Sequence, residues 1–377
     1  MTRKPRIIAD DKIPFLRGAL EPYAEVIYKQ GAAICPADVR DADAIFTRTR
    51  TRCDAELLEG SSVRLIATAT IGYDHIDTAY CEAKGIRWVN APGCNSGSVC
   101  QYIAAALLLW AHERGRRLHG LTLGVIGVGN VGGKVAVAAE GLGMRVLLND
   151  PPRAEREGPQ GFTELARLLA ESDIVTCHTP LASSGPYPTR HLASDGFFGQ
   201  MKPGAVFINS SRGPVADTAA LRRAMDAGKL SDVILDVWEN EPDIDRELMQ
   251  QAFIATPHIA GYSADGKANG TAACVREAAS FFGITEVSPQ WFPADVPAAE
   301  ASREIRAPQT EDTEEALRHI ILHTYPIEED SRRLKQSPET FEQQRSNYRI
   351  RREPPYFRPL IATKEAAEAL RKLRFTV

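Results

Sequence analysis

The chain has no long hydrophobic run, no Cys-x-x-Cys pair and no excess of one sign of charge. Each absence removes a class of function. Its longest apolar stretch is Ile103–Ala111, about half of the ~20 residues a membrane-spanning helix needs. The seven cysteines, Cys35, Cys53, Cys81, Cys94, Cys100, Cys177 and Cys274, are odd in number and scattered. That speaks against a disulfide framework or a structural zinc site. Lys and Arg total 45 against 49 Asp and Glu, a formal charge of −4. Nothing in that balance draws the chain toward nucleic acid or a membrane surface. The 24 prolines and 28 glycines among 377 residues are too few for a low-complexity or collagen-like chain. The start, MTRKPRIIADDKIP, has a three-residue apolar run before two aspartates, unlike a secretory signal. These features predict a cytoplasmic, reduced protein with no metal site, long enough to bury its core without staples.

What is present is alternation. Arg6–Ala9, Ala24–Ile27, Ala44–Thr47, Leu65–Thr70 and Arg87–Asn90 are short strand-like runs separated by polar and helical stretches. That pattern predicts βα units and a parallel sheet. From Ser96 to about Arg114 apolar residues fall at helical spacing, enough for a helix that crosses between domains. A second series follows, with strands at Leu121–Ile126, Arg145–Asn149, Asp173–His178, Ala205–Asn209 and Asp232–Asp236. Helices are expected between them at Gly132–Gly143, Thr163–Glu171 and Asp217–Ala227, which describes a doubly wound fold. After about Ile284 the composition turns Pro-rich and then charged. Glu314–Leu322 and Lys364–Leu373 read as amphipathic helices, with Pro359–Ala362 a strand between them.

Gly127-Val128-Gly129-Asn130-Val131-Gly132 follows the apolar run LTLGVI and opens a helical pattern, and Asp150 ends the next strand. This is the context the dinucleotide fingerprint requires. Gly127 permits the tight turn, Gly129 lets backbone approach a pyrophosphate, and Gly132 lets helix and strand pack. The helix N-terminus then offers amides to the phosphates. Asp150 would accept from the ribose hydroxyls and repel a 2′-phosphate, favouring NAD. Arg153, three residues on, could accept such a phosphate instead.

Three further segments place polar residues just after strands: FINSSRG at Phe207–Gly213, LDVWENEP at Leu235–Pro242 and TPHIAGY at Thr256–Tyr262. Taken alone, Arg212 could be a surface ion-pair partner, Glu241 a solvated carboxylate and His258 a structural histidine. Together with HTPL at His178–Leu181, over roughly residues 5 to 285, they resemble the D-isomer-specific 2-hydroxyacid dehydrogenases. The resemblance implies two doubly wound parallel-sheet (Rossmann-like) α/β domains. Residues 1–92 with 258–285 would be a flavodoxin-like substrate domain, and 93–257 an NAD-binding domain. It also implies that Arg212 binds the substrate carboxylate through a two-pronged donor, that His258 is the general acid/base, and that Glu241 orients the imidazole. Asp236 would face the nicotinamide carboxamide. Thr179, Ser210, Ser211 and Gly261 would line the cofactor beside the glycine loop.

The segments ATATIGYDHID, APGCNSGSV, HIAGYSADGKANGT and FEQQRSNYRIRRE narrow the resemblance. They point to a branch that acts on a small phosphorylated 2-hydroxy acid. That branch ends in a small α+β dimerisation domain, here 286–377, so a homodimer is implied. Thr49, Thr70 and Tyr262 would touch the substrate. Arg48, Arg50 and Arg52 alternate, and an extended segment would aim them to one side; Arg48 is the candidate for the phosphate. Arg345, Asn347, Tyr348, Arg351 and Arg352 would line the dimer interface or reach the partner's active site, and a tail of this kind could equally be a helical lid on its own subunit. Two rivals stay open: a dehydrogenase of phosphoglycerate or glycerate type, and a non-enzymatic NAD-sensing interaction protein.

Overall fold

The five apolar runs of the first hundred residues pair as one parallel sheet. A computed structural model describes residues 3–308, 310, 312–361 and 363–377. These divide into two units, Met1–Asn95 with Ser263–Ala298 and Ser96–Tyr262 with Ala299–Val377.

In the first unit, β1 (Arg6–Asp10), β2 (Glu25–Lys29), β3 (Ala44–Thr47), β4 (Leu65–Thr68) and β5 (Arg87–Val89) lie in the order β2-β1-β3-β4-β5. All pairs are parallel. The central strands β3 and β4 are buried at every residue. Buried on both faces, such strands read as continuous apolar runs rather than alternating ones. A helix at Ala264–Phe282 returns to cover this sheet. Its Cys274, Val275 and Ala278 pack in one cluster with Ile7, Phe46 and Leu65. Sequence periodicity did not show this helix, because Gly266 and Gly270 interrupt it. The reason for Gly270 is spatial: a Cβ there would lie 2.5 Å from the Ala69 carbonyl oxygen.

In the second unit, β6 (Thr122–Ile126), β7 (Arg145–Asn149), β8 (Ile174–Cys177), β9 (Ala205–Asn209), β10 (Leu230–Leu235) and β11 (Ile254–Ala255) form a six-stranded parallel sheet. Its order is β11-β10-β9-β8-β6-β7. Strand order reverses beside β6, and ligands of open α/β sheets bind at the carboxyl ends next to such a reversal. The helix Ser96–Glu113 is the one read from apolar spacing as long enough to cross between domains. It lies wholly in the second unit and is buried from Ser96 to Ala111, as a helix apolar on all sides must be.

The boundaries also differ from those expected. The changeovers fall at 95/96 and 262/263, so His258–Tyr262 stays with the second unit. Residues 299–377, expected within a separate domain, belong to that unit too. The physical reason is that their helices bury their apolar faces on it. Thr313–Thr324 packs on Ser96–Glu113, Lys364–Lys372 on Gly132–Gly141, and Ile327–Gln336 on β11. Ile320, Ile321 and Leu370 share one core cluster with Leu107, Leu108 and Val135. The short strands β12 (Glu304–Arg306) and β13 (Arg358–Leu360) pair with each other. Strand β13 occupies the expected Pro359–Ala362 position; Ala362 itself lies outside the described residues. Among the described residues no helix is long and apolar enough to cross a membrane.

Candidate active site

The loop after β6 carries the glycine motif, and its geometry gives each glycine a separate reason. Gly127 has φ +84°, and a Cβ there would sit 2.8 Å from the His178 carbonyl group. A Cβ on Gly132 would lie 1.9 Å from Gly127 O, whereas one on Gly129 would meet nothing within 4 Å. Gly129 therefore faces open space beside a helix N-terminus. Asn130 and Val131 lead into that helix, with Gly133 N donating to Gly129 O and Val135 N to Val131 O, both at 3.0 Å. At the end of β7, Asp150 accepts from Val128 N at 2.8 Å, so the acidic residue and the loop form one structure.

The loops after β9 and β10 are joined. Asn209 Oδ1 accepts from Ser211 N and Ser211 Oγ, and Asn209 Nδ2 donates to Arg212 O. Ser211, expected at the cofactor, has its hydroxyl turned into its own loop. A Cβ on Gly213 would lie 1.8 Å from Trp238 O, so only glycine lets the Arg212 loop lie against the loop that carries Glu241. The Arg212 guanidinium is half-buried, and its Nη1 donates to Ser211 O at 2.7 Å.

His258 Nδ1 and Glu241 Oε2 are 2.8 Å apart, and the other oxygen of Glu241 accepts from Trp238 N at 2.9 Å. Both carboxylate oxygens are thus fixed, one on backbone and one on the imidazole. His258 has φ +55°, a left-handed conformation that costs a non-glycine residue about 1–2 kcal/mol. Asp236 holds it there. Its carbonyl accepts from His258 N at 2.7 Å, and its buried carboxylate accepts from Ile259 N, Ala260 N and Thr256 Oγ1. The Tyr102 hydroxyl completes the chain at 2.8 Å from Thr256 Oγ1. Burial pushes the Asp236 carboxyl above its ordinary range, against the opposing pull of His258 and these donors. The carboxylate expected to face the nicotinamide also clamps the histidine loop.

The C-terminal region reaches the same loop. Arg351 is 3% exposed, and its Nη2 donates to Ala260 O at 2.5 Å while its guanidinium lies 4.3 Å from the Tyr325 ring centroid. It was one of the residues expected at a subunit interface, at the partner's active site or in a lid on its own subunit, and its side chain is buried within its own chain. Sequence reasoning missed Asn209, Thr256, Tyr102 and this role of Arg351. Asn209 and Thr256 had local signals, as parts of FINSSRG and TPHIAGY.

A glycine loop at a strand-order reversal and an Arg, Glu, His set on neighbouring strand ends of one sheet are the features to compare with known proteins. Residues 107–260 match the family model for the D-isomer specific 2-hydroxyacid dehydrogenase, NAD binding domain. The erythronate-4-phosphate dehydrogenase of Bacteroides thetaiotaomicron is 51% identical over 92% of this chain and 97% of its own length. That of Klebsiella pneumoniae is 38% identical over 98% of both. The chain belongs to the D-isomer specific 2-hydroxyacid dehydrogenases. Among solved structures of similar fold, a D-lactate dehydrogenase from Aquifex aeolicus, complexed with NAD and lactic acid, is 28% identical. It matches with a TM-score of 0.61 over 78% of this chain and all of its own.

The cofactor of this dehydrogenase is NAD, and the residues present fit it. Thr179 Oγ1 and Ser210 Oγ are buried without a hydrogen-bond partner, as donors kept for a ligand would be. The donors of Arg153, the other candidate acceptor of a 2′-phosphate, are engaged within the protein. Its Nε and Nη2 donate to Glu157, and its Nη1 donates to Val128 O at 2.6 Å. In the first unit, Thr70 Oγ1 donates to Gly72 O and lies 2.7 Å from Thr68 Oγ1, which donates to Arg48 O. The three arginines lie beyond β3, which ends at Thr47. Arg52 pairs with Asp54 at 2.7 Å, whereas Arg48 Nη1 donates to Lys12 O and Thr49 is exposed.

Proposed function

We propose that this protein oxidises 4-phospho-D-erythronate to 2-oxo-3-hydroxy-4-phosphobutanoate with NAD, a step of pyridoxine (pyridoxal phosphate) biosynthesis. The observation that carries the reading is the 2.8 Å pair of His258 and Glu241, in a chain that matches relatives named for this substrate over almost their whole length.

Arg212 offers parallel donors to the substrate carboxylate and polarises the C2 oxygen. Glu241 accepts the Nδ1 proton of His258, which leaves Nε2 as the basic nitrogen. Nε2 takes the proton of the C2 hydroxyl as the C2–O bond becomes a carbonyl, and the same imidazolium returns it in the reverse direction. When bound, NAD accepts the hydride from C2. Gly127, Gly129, Asn130, Val131, Gly132 and Asp150 hold its pyrophosphate and ribose. Thr179, Ser210 and Gly261 line its remainder. Thr49, Thr70 and Tyr262 contact the substrate, and Arg48 is one contact for its phosphate.

Purified protein incubated with NAD and 4-phosphoerythronate is expected to form NADH. Turnover of phosphoglycerate alone, or of no hydroxy acid, would overturn the reading. We also propose a homodimer built through the C-terminal region, where Ile350 and Leu360 are 43% and 49% exposed. Sedimentation at two concentrations is expected to show a dimer at both; a monomer at both would refute it. The seven free thiols favour a reducing, cytoplasmic setting.

A further inference from the structure

The hydroxy acid proposed above carries a carboxylate at one end and a phosphate at the other. Arg212 serves the first. The second needs a cation near His258, with donors not already engaged.

Four arginines in or near the helix Phe341–Ser346 can be compared on that criterion. Arg349 donates to Glu329, to Asp330 and to Pro326 O, and so is satisfied within its own segment. Arg351 has two donors without partners, but it is 3% exposed and sealed in the interior. Arg352 stacks 4.2 Å over the Tyr356 ring. Arg345 differs from all three. Its guanidinium lies 5.8 Å from the ring centroid of Tyr262, four residues beyond His258. Tyr262 is also a side-chain hydrogen-bond partner of the guanidinium. Its side chain is 23% exposed, and its Nε is buried with no hydrogen-bond partner. Nη1 donates to Glu342 at 3.1 Å, a carboxylate that is 54% exposed. Solvated pairs of that kind hold weakly and yield to a dianion that offers two acceptor oxygens to the fork.

The segment also keeps Arg345 in place. Phe341 at the start of its helix is 1% exposed, and Tyr348 just after it meets Tyr262 edge to face at 6.2 Å. Tyr348 is itself fixed by donation to Asp330 at 2.6 Å.

We propose that Arg345, supplied by the C-terminal segment beside Tyr262, binds the distal phosphate of the hydroxy acid and sets the preference for a phosphorylated substrate. The proposal rests on the reading that the substrate carries phosphate.

The test compares full-length wild type, Arg345→Met, Arg345→Lys and Arg48→Ala on 4-phosphoerythronate and on erythronate, with NAD affinity measured for each. Arg345→Met is expected to lower kcat/KM for 4-phosphoerythronate about 10–100-fold more than for erythronate, the value of a charged hydrogen-bond pair. Arg345→Lys should recover part of that difference, and inorganic phosphate should inhibit wild type more strongly than Arg345→Met. Equal losses on both substrates would overturn the proposal, since a merely structural residue behaves that way. So would selective loss confined to Arg48→Ala. In either case wild-type turnover of 4-phosphoerythronate leaves the functional reading standing. If wild type does not turn it over, the reading falls and this proposal with it.

Discussion

His258→Gln is expected to lower kcat by about 10²–10⁴-fold, the contribution of a positioned general acid/base, with NAD affinity retained. The geometry makes the substitution clean. The loop 258–260 is held by its backbone amides on Asp236, not by the imidazole. Removing the ring therefore removes the proton acceptor and leaves the loop in place. Glutamine offers an amide that cannot take up the C2 proton. Glu241→Gln is expected to fall between the two. It keeps an acceptor for Trp238 N but loses the charge that stabilises the imidazolium. Steady-state rates with NAD in excess, together with a cofactor titration, check both. Wild-type kcat in His258→Gln would remove the histidine from the chemistry.

The parts of this site that were legible in the sequence are those whose cause is local. The glycine loop could be read because a tight turn, a close backbone approach and a helix packed on a strand each demand glycine at a fixed offset. Arg212, Glu241 and His258 were visible only as members of motifs, since no spacing rule links the ends of separate strands. What brings them together is the parallel register of β9, β10 and β11. The second task of Asp236 was hidden for a related reason. A strand-end carboxylate reads as a ligand contact, and only folding brings it the donors of a loop some twenty residues downstream. The C-terminal helices were foreseen from their amphipathic pattern. Pattern shows that a face must be buried, not against what. The contact of Arg351 with Ala260 spans 91 residues and leaves no trace in either local sequence.

Arg212→Lys is the complementary prediction, because it preserves charge and removes shape. The guanidinium is planar and offers paired donors, whereas an ammonium is a compact point charge. The position is also built for the longer side chain. Asn209 ties Ser211 and the Arg212 carbonyl into one turn, Gly213 lies against Trp238 O, and Ser211 O accepts one guanidinium donor. A lysine would place one nitrogen where the substrate carboxylate needs two, and the C2 oxygen would lose its polarising partner. The lost charged hydrogen bond is worth about 1.5–3 kcal/mol, so kcat/KM should fall about 10–100-fold. Because the carboxylate is bound before and during reaction, much of that loss should appear as raised KM for the hydroxy acid. His258→Gln should instead act on kcat. A lysine variant with unchanged KM and kcat would show that carboxylate recognition lies elsewhere, and the two-ended binding of the substrate by Arg212 and Arg345 would lose its first anchor.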